Sequence, residues 1–315
     1  MNLDRFKSIV KRERTSRLIR PEDLVGKSFR ELGYEGKEET FFRNNASEII
    51  ENLRRKCWEN FIPEEQEFTK DMLLMLIDRE AIQNLSPEDA IVQYFENYSE
   101  HVYQLSLSNT NARRSRAGKE FEKILDYVFT GAGVMFEDQG SIGRKRFEEN
   151  GLTKLVDHVS PSVQAYRIDK NETTLVSAKT TLRERWQQVP EEMTRTAIRE
   201  IFLATLDSQI TDDMILKLYE SNVRPVVTTN LKNTHYARSR HVLTYERLIE
   251  TMLNQQASWD NYDYTAEEAE AILRSYTKKI NCSSGWLKEK FIAQKQKLVE
   301  QFIANGFNVE DDNVN

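Results

Sequence analysis

At 315 residues the chain is long enough for one large domain or two smaller ones, and it can bury an ample core without disulfide or metal staples. With 39% hydrophobic and 30% charged residues, and no apolar run near the roughly 20 residues of a membrane span, it reads as a soluble globular protein. Its net charge of −6 argues against a protein that coats nucleic acid indiscriminately.

Met1 to Lys11 is polar and lacks an apolar centre, so no signal peptide is visible and a cytoplasmic location is expected. Cys57 and Cys282 are far apart and are expected to be reduced; alone they cannot build a zinc site. Basic residues cluster at 7–20, 54–56, 113–119, 183–185 and 238–240, while acidic residues gather at 64–71 and 309–312. A basic cleft on an acidic body would suit DNA, although any one cluster reads equally well as a solvated helix face.

Residues 1 to about 45 carry few apolar positions and are interrupted by Pro21, Gly33 and Gly36, so a basic, partly ordered arm followed by loops is expected. From Ala46 the spacing of Ile49, Ile50, Leu53 and Cys57 predicts a helix, with Asn45 or Ser47 as its cap and Arg54, Arg55 and Trp58 toward its end. Pro63-Glu-Glu predicts the start of a second helix through Phe68, Met72 and Leu76. Ser86-Pro-Glu-Asp predicts a third, through Ile91, Phe95 and Val102. The polar stretch Ser106 to Asn111 then reads as a connector, dividing a mainly helical lobe of residues 1–110 from a core of residues 111–315.

Ala117, Phe121, Ile124, Leu125 and Val128 form one helical stripe, with Glu122 beside it at the edge of the buried face. Gly131 to Gly133 should end that helix and Val134 to Phe136 start a strand. Leu152 to Val156 is a short apolar run ending in Asp157, and Tyr166 to Asp169 with Thr173 to Val176 reads as a hairpin. Pro190-Glu-Glu opens a predicted helix that continues through Ile198 to Leu206. Val223 to Thr229 is a predicted strand in which Pro225 suggests an edge or a bulge, followed by a short strand His241 to Leu243. Helices are expected at 245–253, 266–276 and 287–303, and the whole order indicates a mixed α/β core.

The chemistry gathers around the predicted strand Thr173 to Val176, which delivers Lys179 at its end, with Asp157 upstream and Glu192 on the following helix. Two carboxylates can hold a divalent cation through hard oxygen ligands, and a nearby ammonium can orient a water against a phosphodiester. Metal-dependent nucleases commonly show an aspartate, a strand, then an acid two residues before a lysine. Ser177 stands where that acid is expected, and Glu192, thirteen residues past Lys179, can supply the missing carboxylate. The four histidines show no metal-ligand spacing, His158 beside Asp157 reads equally well as structural, and there is no Gly-rich phosphate loop.

The set Glu122, Asp157, Ser177-Ala-Lys179, Arg183-Glu-Arg-Trp186 and Glu192 resembles the type II restriction endonucleases of the EcoRII, PspGI and SsoII group, nearest to the SsoII branch. The Arg-Ser-Arg-Ala-Gly stretch from Arg114, the 35-residue step from Glu122 to Asp157 and the 22-residue step to Lys179 all fit it. The resemblance covers about residues 113–206 and, more weakly, the helix holding Arg54 and Trp58.

The resemblance implies a PD-(D/E)xK core, a mixed central sheet flanked by helices, with a helical N-terminal lobe that contacts DNA. In it Asp157 and Glu192 would bind Mg²⁺, Lys179 would position the attacking water, and Glu122 would complete the acidic cluster. Glu191 is a second candidate for the swapped carboxylate, and Val156 replaces the proline often found before the aspartate. Arg183 and Glu184 would read C·G pairs of a CCNGG-like site, because arginine suits guanine O6 and N7 and glutamate the cytosine amino group. Arg54 would support that reading, and Trp58 would meet a flipped central base. The implied partners are double-stranded DNA, a second copy in a homodimer, and a cognate cytosine methyltransferase of the same restriction-modification system. Two rival functions stand beside this one: a catalytically silent DNA-binding protein on a nuclease core, and a repair nuclease without sequence preference.

Overall fold

Among the described residues, six strands form one mixed sheet in the computed structural model, which describes residues 1–152, 155–182 and 200–307. They are β1 (Glu137–Asp138), β2 (His158–Ser160), β3 (Thr174–Lys179), β4 (Ile201–Thr205), β5 (Val223–Val227) and β6 (Leu243–Thr244), and they lie side by side in that order. β1, β2 and β3 pair antiparallel, whereas β3 to β6 run parallel. β4 is buried along its whole length and β3 everywhere except at Lys179, so the sheet centre is covered on both faces. That burial carries the chain to the solvent edge at the residue with the chemistry.

The chain divides into two units, Met1–Ser28 with Arg54–Glu120 and Phe29–Leu53 with Phe121–Asn315. The sheet belongs to the second. Phe147, Val156, Val159, Leu175, Leu203 and Val227 lie in one continuous core beside it. Another cluster joins Ala165 of the helix Val163–Ile168 to Tyr276 of Ala266–Cys282 and Phe302 of Gly285–Ala304. Helix starts follow the side chains available to cap them. Thr244 accepts from Arg247 N at 3.4 Å, and Thr265 with Glu268 forms a reciprocal capping box.

Several expectations are overturned in this unit. Ile201 to Thr205 is a strand and not the end of a helix, because a strand buried on both faces shows a continuous apolar run with no alternation to betray it. Val163–Ile168 is a helix where half of a hairpin was expected, since Ser162 Oγ accepts from Ala165 N at 3.0 Å and caps it. The first strand falls at Glu137–Asp138 and not at Val134 to Phe136. The last strand is Leu243–Thr244, where His241 to Leu243 was expected. Pro225 is neither on an edge strand nor at a bulge: β5 lies between β4 and β6. β6 covers only Val226 and Val227, so the missing Pro225 amide costs that ladder nothing.

The first unit is helical. Residues 1–31, of which those up to Ser28 belong to this unit, are not an arm with loops but two helices, Leu3–Arg17 and Pro21–Glu31. Phe6 and Val10, one turn apart, are enough to anchor the first in a cluster with Phe68, Met72, Leu76 and Leu105. The helix Glu39–Leu74 runs through Pro63 without ending there, and its non-helical residue is Asn45 (φ −126°, ψ 21°). Buried Phe61, Phe68 and Met72 on either side of Pro63 hold that segment, so packing outweighs the local preference. Nor do Ser106 to Asn111 break the helix Pro87–Gly131. Ser106 and Thr110 hydroxyls bond back to the carbonyls of Val102 and Ser106, each at 3.0 Å, and Asn109 is held by Arg14 at 2.6 Å. Cys57 is buried, Cys282 is exposed, and both are free thiols. Among the described residues no helix is long and apolar enough to cross a membrane.

Candidate active site

Asp157 immediately precedes β2, and its backbone is fixed on both sides. Its amide donates to Val176 O at 2.9 Å, and its carbonyl accepts from Gln139 N at 3.0 Å. The side chain is held just as firmly: Oδ2 accepts from Ala178 N at 2.6 Å and from Lys179 Nζ at 2.9 Å. Both bonds fall on one oxygen, which leaves Oδ1 to face other partners. Lys179 also donates to Ala178 O at 3.0 Å, so the β3 terminus folds its own ammonium back over the aspartate.

Glu122 reaches the same place from the helix Pro87–Gly131, at the edge of the stripe formed by buried Phe121, Ile124 and Leu125. Burial, and then the negative charge of Asp157, pushes its carboxyl up to about 7, against the pull of Lys179 and His158. The structure therefore brings together Glu122, Asp157 and Lys179. Ser177, in the place of the pattern's second acid, is fully buried, and its hydroxyl has no hydrogen-bond partner among the described residues. Glu192 and its alternative Glu191 lie outside the described residues, as do Arg183 and Glu184. No group of three or more metal-binding side chains occurs among the described residues.

Asp126 is not singled out by the sequence, and His158 stands out only by its place beside Asp157, where it reads equally well as structural. Asp126 Oδ1 accepts from His158 Nε2 at 2.8 Å, and Oδ2 accepts from Lys123 Nζ at 2.6 Å. Burial alone would raise the Asp126 carboxyl, but Lys123 and His158 hold it well below the usual carboxylate range. The available signal was only the adjacency of His158 to Asp157, since the bond spans 32 positions and two elements.

Arg54 and Trp58 belong to the first unit, one turn apart on the helix Glu39–Leu74. Trp58 does not pack away into the lobe: it is 52% exposed, and the Arg113 guanidinium lies 5.5 Å from its ring centre. Arg113 is itself held by buried Glu65, at 2.6 Å from Nε. Partly buried Arg54 opposes the rise that burial imposes on the Glu120 carboxyl.

A lysine and partly buried carboxylates gathered at the end of an interior strand of a mixed sheet suit phosphodiester hydrolysis, and the surrounding fold is the restriction-endonuclease core. Residues 75–249 match the family model described as EcoRII C terminal. Over 275 residues the chain is 48% identical to the type II restriction enzyme SsoII of Shigella sonnei, covering 87% of this chain and 90% of that one. The solved structure of metal-depleted Ecl18kI in complex with uncleaved, modified DNA matches with a TM-score of 0.90 at 44% identity, covering 95% of this chain and 100% of that one. The PspGI–substrate DNA complex matches with a TM-score of 0.57 at 16% identity, over 78% of this chain and 95% of that one, a likeness of fold. The chain belongs to the type II restriction endonucleases of the EcoRII C-terminal family, and is a site-specific deoxyribonuclease.

Glu122 holds its proton more tightly in the folded protein than at its ordinary value of 4.5, so folding takes up a proton between about pH 4.5 and 7 and stability falls as pH rises through that window. Glu122→Gln should therefore raise stability by about 1 to 3 kcal/mol at pH 8 and change it little at pH 5, as read from thermal melts at both. An equal gain at the two pH values, or none, would count against a buried, charge-crowded Glu122.

Proposed function

We propose that this enzyme cuts double-stranded DNA at CCNGG-like sites, before the first C and leaving 5′ overhangs, in a Mg²⁺-dependent reaction. The observation that carries the reading is the Asp157–Lys179 contact at the β3 terminus. An ammonium has three donors, and Lys179 spends two on Asp157 Oδ2 and Ala178 O, leaving one for an attacking water or a phosphate oxygen. Asp157 thus orients the lysine through one oxygen and offers the other to a cation. The donor set suits a hard ion that takes one or two carboxylates and keeps its waters. Asp157 and Glu192 would hold Mg²⁺, with Glu122 completing the acidic cluster. When bound, the ion would supply Lewis-acid charge at the scissile phosphate.

DNA as substrate is supported by the solved complexes of Ecl18kI and PspGI with DNA. Arg183 and Glu184, just past the lysine, would read the C·G pairs in the major groove, supported by Arg54. A site with inverted CC and GG ends calls for a two-fold homodimer, each subunit taking one half-site and cutting one strand. In this reading residues 1–110 form the DNA-contacting lobe and 111–315 the nuclease core. The enzyme works in the cytoplasm beside a cognate cytosine methyltransferase that protects the host's own sites.

With unmethylated phage DNA and Mg²⁺ the protein should give discrete fragments, and EDTA should stop it. A smear would indicate a nuclease without sequence preference, and intact DNA a binder. Asp157→Ala, Lys179→Ala and Glu192→Ala should each abolish cutting while sequence-specific binding stays measurable. Near-normal cutting by any one of them removes that residue from the site. Arg183→Ala or Glu184→Ala should cost about 1 to 3 kcal/mol of discrimination per lost base contact.

The central N of the site would be flipped onto Trp58. Relative to a four-base site, the extra pair pushes the half-sites about 3.4 Å farther apart, and extruding both central bases lets the duplex compress. A half-exposed indole is suited to receive them, because stacking on an aromatic ring is worth about 1 to 3 kcal/mol and tolerates every base. The fluorescence of 2-aminopurine at N should rise on binding and rise further with Trp58→Ala, which removes the quencher. No change with either protein, under confirmed cognate binding, contradicts flipping.

A further inference from the structure

We propose that the Asp126–His158 pair is a positioning device that sets the spacing of the Glu122 and Asp157 carboxylates; the proposal rests on the cation site just described. Glu122 and Asp126 are one turn apart on the helix Pro87–Gly131, and His158 is the residue after Asp157. The 2.8 Å bond from His158 Nε2 to Asp126 Oδ1 therefore ties the helix that carries one carboxylate to β2, which the other immediately precedes.

The pair is held without play. His158 is 1% exposed and Asp126 4%. The imidazole is packed edge-on between Phe129 and Phe136, with ring centres 5.5 and 5.4 Å away. Asp126 is fixed from its far side by Lys123 Nζ at 2.6 Å, and His158 is in register with Val176 on β3 and Asp138 on β1. A buried ionic group gives little net stability over a well-packed apolar replacement, so stability alone is a poor reason for these three residues. What a directional bond adds is a fixed distance. Mg²⁺ tolerates little departure from octahedral geometry at about 2.0 to 2.1 Å, so slippage of helix against strand is felt directly at the ion.

The test compares His158→Leu, which loses the donor, with His158→Gln, whose amide can still donate to Asp126. His158→Asn, whose amide is too short to span the contact, gives the comparison in polar form should the leucine variant fail to fold. Two dependences are measured: Ca²⁺ on affinity for a CCNGG duplex by gel shift, where no cutting occurs, and Mg²⁺ on single-turnover cleavage. Losing a group that orients a ligand costs metal affinity about 10- to 100-fold, so the leucine or asparagine variant should need at least about tenfold more of either cation. At saturating Mg²⁺ its cleavage rate should recover to near native, its binding in EDTA should be unchanged, and His158→Gln should restore most of the cation affinity. A folded variant with native cation dependence, or a glutamine variant as impaired as leucine, overturns the proposal. Native protein that shows no cation dependence at all overturns the cation site itself, a result distinct from native dependence with unmoved variants.

Discussion

Asp157 Oδ2 accepts hydrogen bonds from the Ala178 amide and the Lys179 ammonium together, and the rest of the proposed site is arranged around that pair of bonds. Because one oxygen takes both donors, the carboxylate cannot rotate without losing two charge-assisted or main-chain bonds, and its other oxygen keeps one direction. The same contact fixes Lys179, which would otherwise be a mobile four-carbon stem at the end of a strand. The sheet makes this possible, since β3 is buried up to the residue before Lys179 and the aspartate amide is pinned to Val176 O at 2.9 Å.

Crowding negative charge at a buried edge works against folding, and the chain accepts it in two places. Glu122 is pushed toward neutrality by burial and by Asp157, whereas Asp126, deeper still, is kept ionised by Lys123 and His158. Two carboxyl groups on neighbouring turns of one helix thus shift in opposite directions: Asp126 is hydrogen-bonded to Lys123 and His158, whereas Lys179 and His158 act on Glu122 only through space and do not offset its burial. Glu122 is the one left without a bonded protein cation among the described contacts, which suits a group whose charge is to be balanced by an ion from solution.

The mixed α/β class was legible in the sequence, and so was the closeness of Asp157 to Lys179. Asp157 and Lys179 stand out because a β-branched strand delivers a lysine a fixed distance after an aspartate, and the resemblance to a restriction-enzyme group added Glu122. The elements were harder. Ile201 to Thr205 carries no alternation, being buried on both faces, and so read as helix. Phe6 and Val10 are too few to announce a helix until Phe68 and Leu105 are seen to receive them. Pro63 and Ser106 look like breaks locally, but packing and bonds from elsewhere in the same unit keep both helices running. The Asp126–His158 bond could not be read at all, because nothing local marks two polar residues on different elements as partners.

The central claim is that Asp157 divides its two oxygens between the protein and a divalent cation. It is tested most directly by crystals of the protein with a CCNGG duplex and Ca²⁺, with the ion located by its anomalous scattering. A cation is expected about 2.3 to 2.6 Å from Asp157 Oδ1 while Oδ2 keeps its bonds to Ala178 N and Lys179 Nζ. A cation that leaves Asp157 out of its ligands, or that displaces Lys179 from Oδ2, would contradict it.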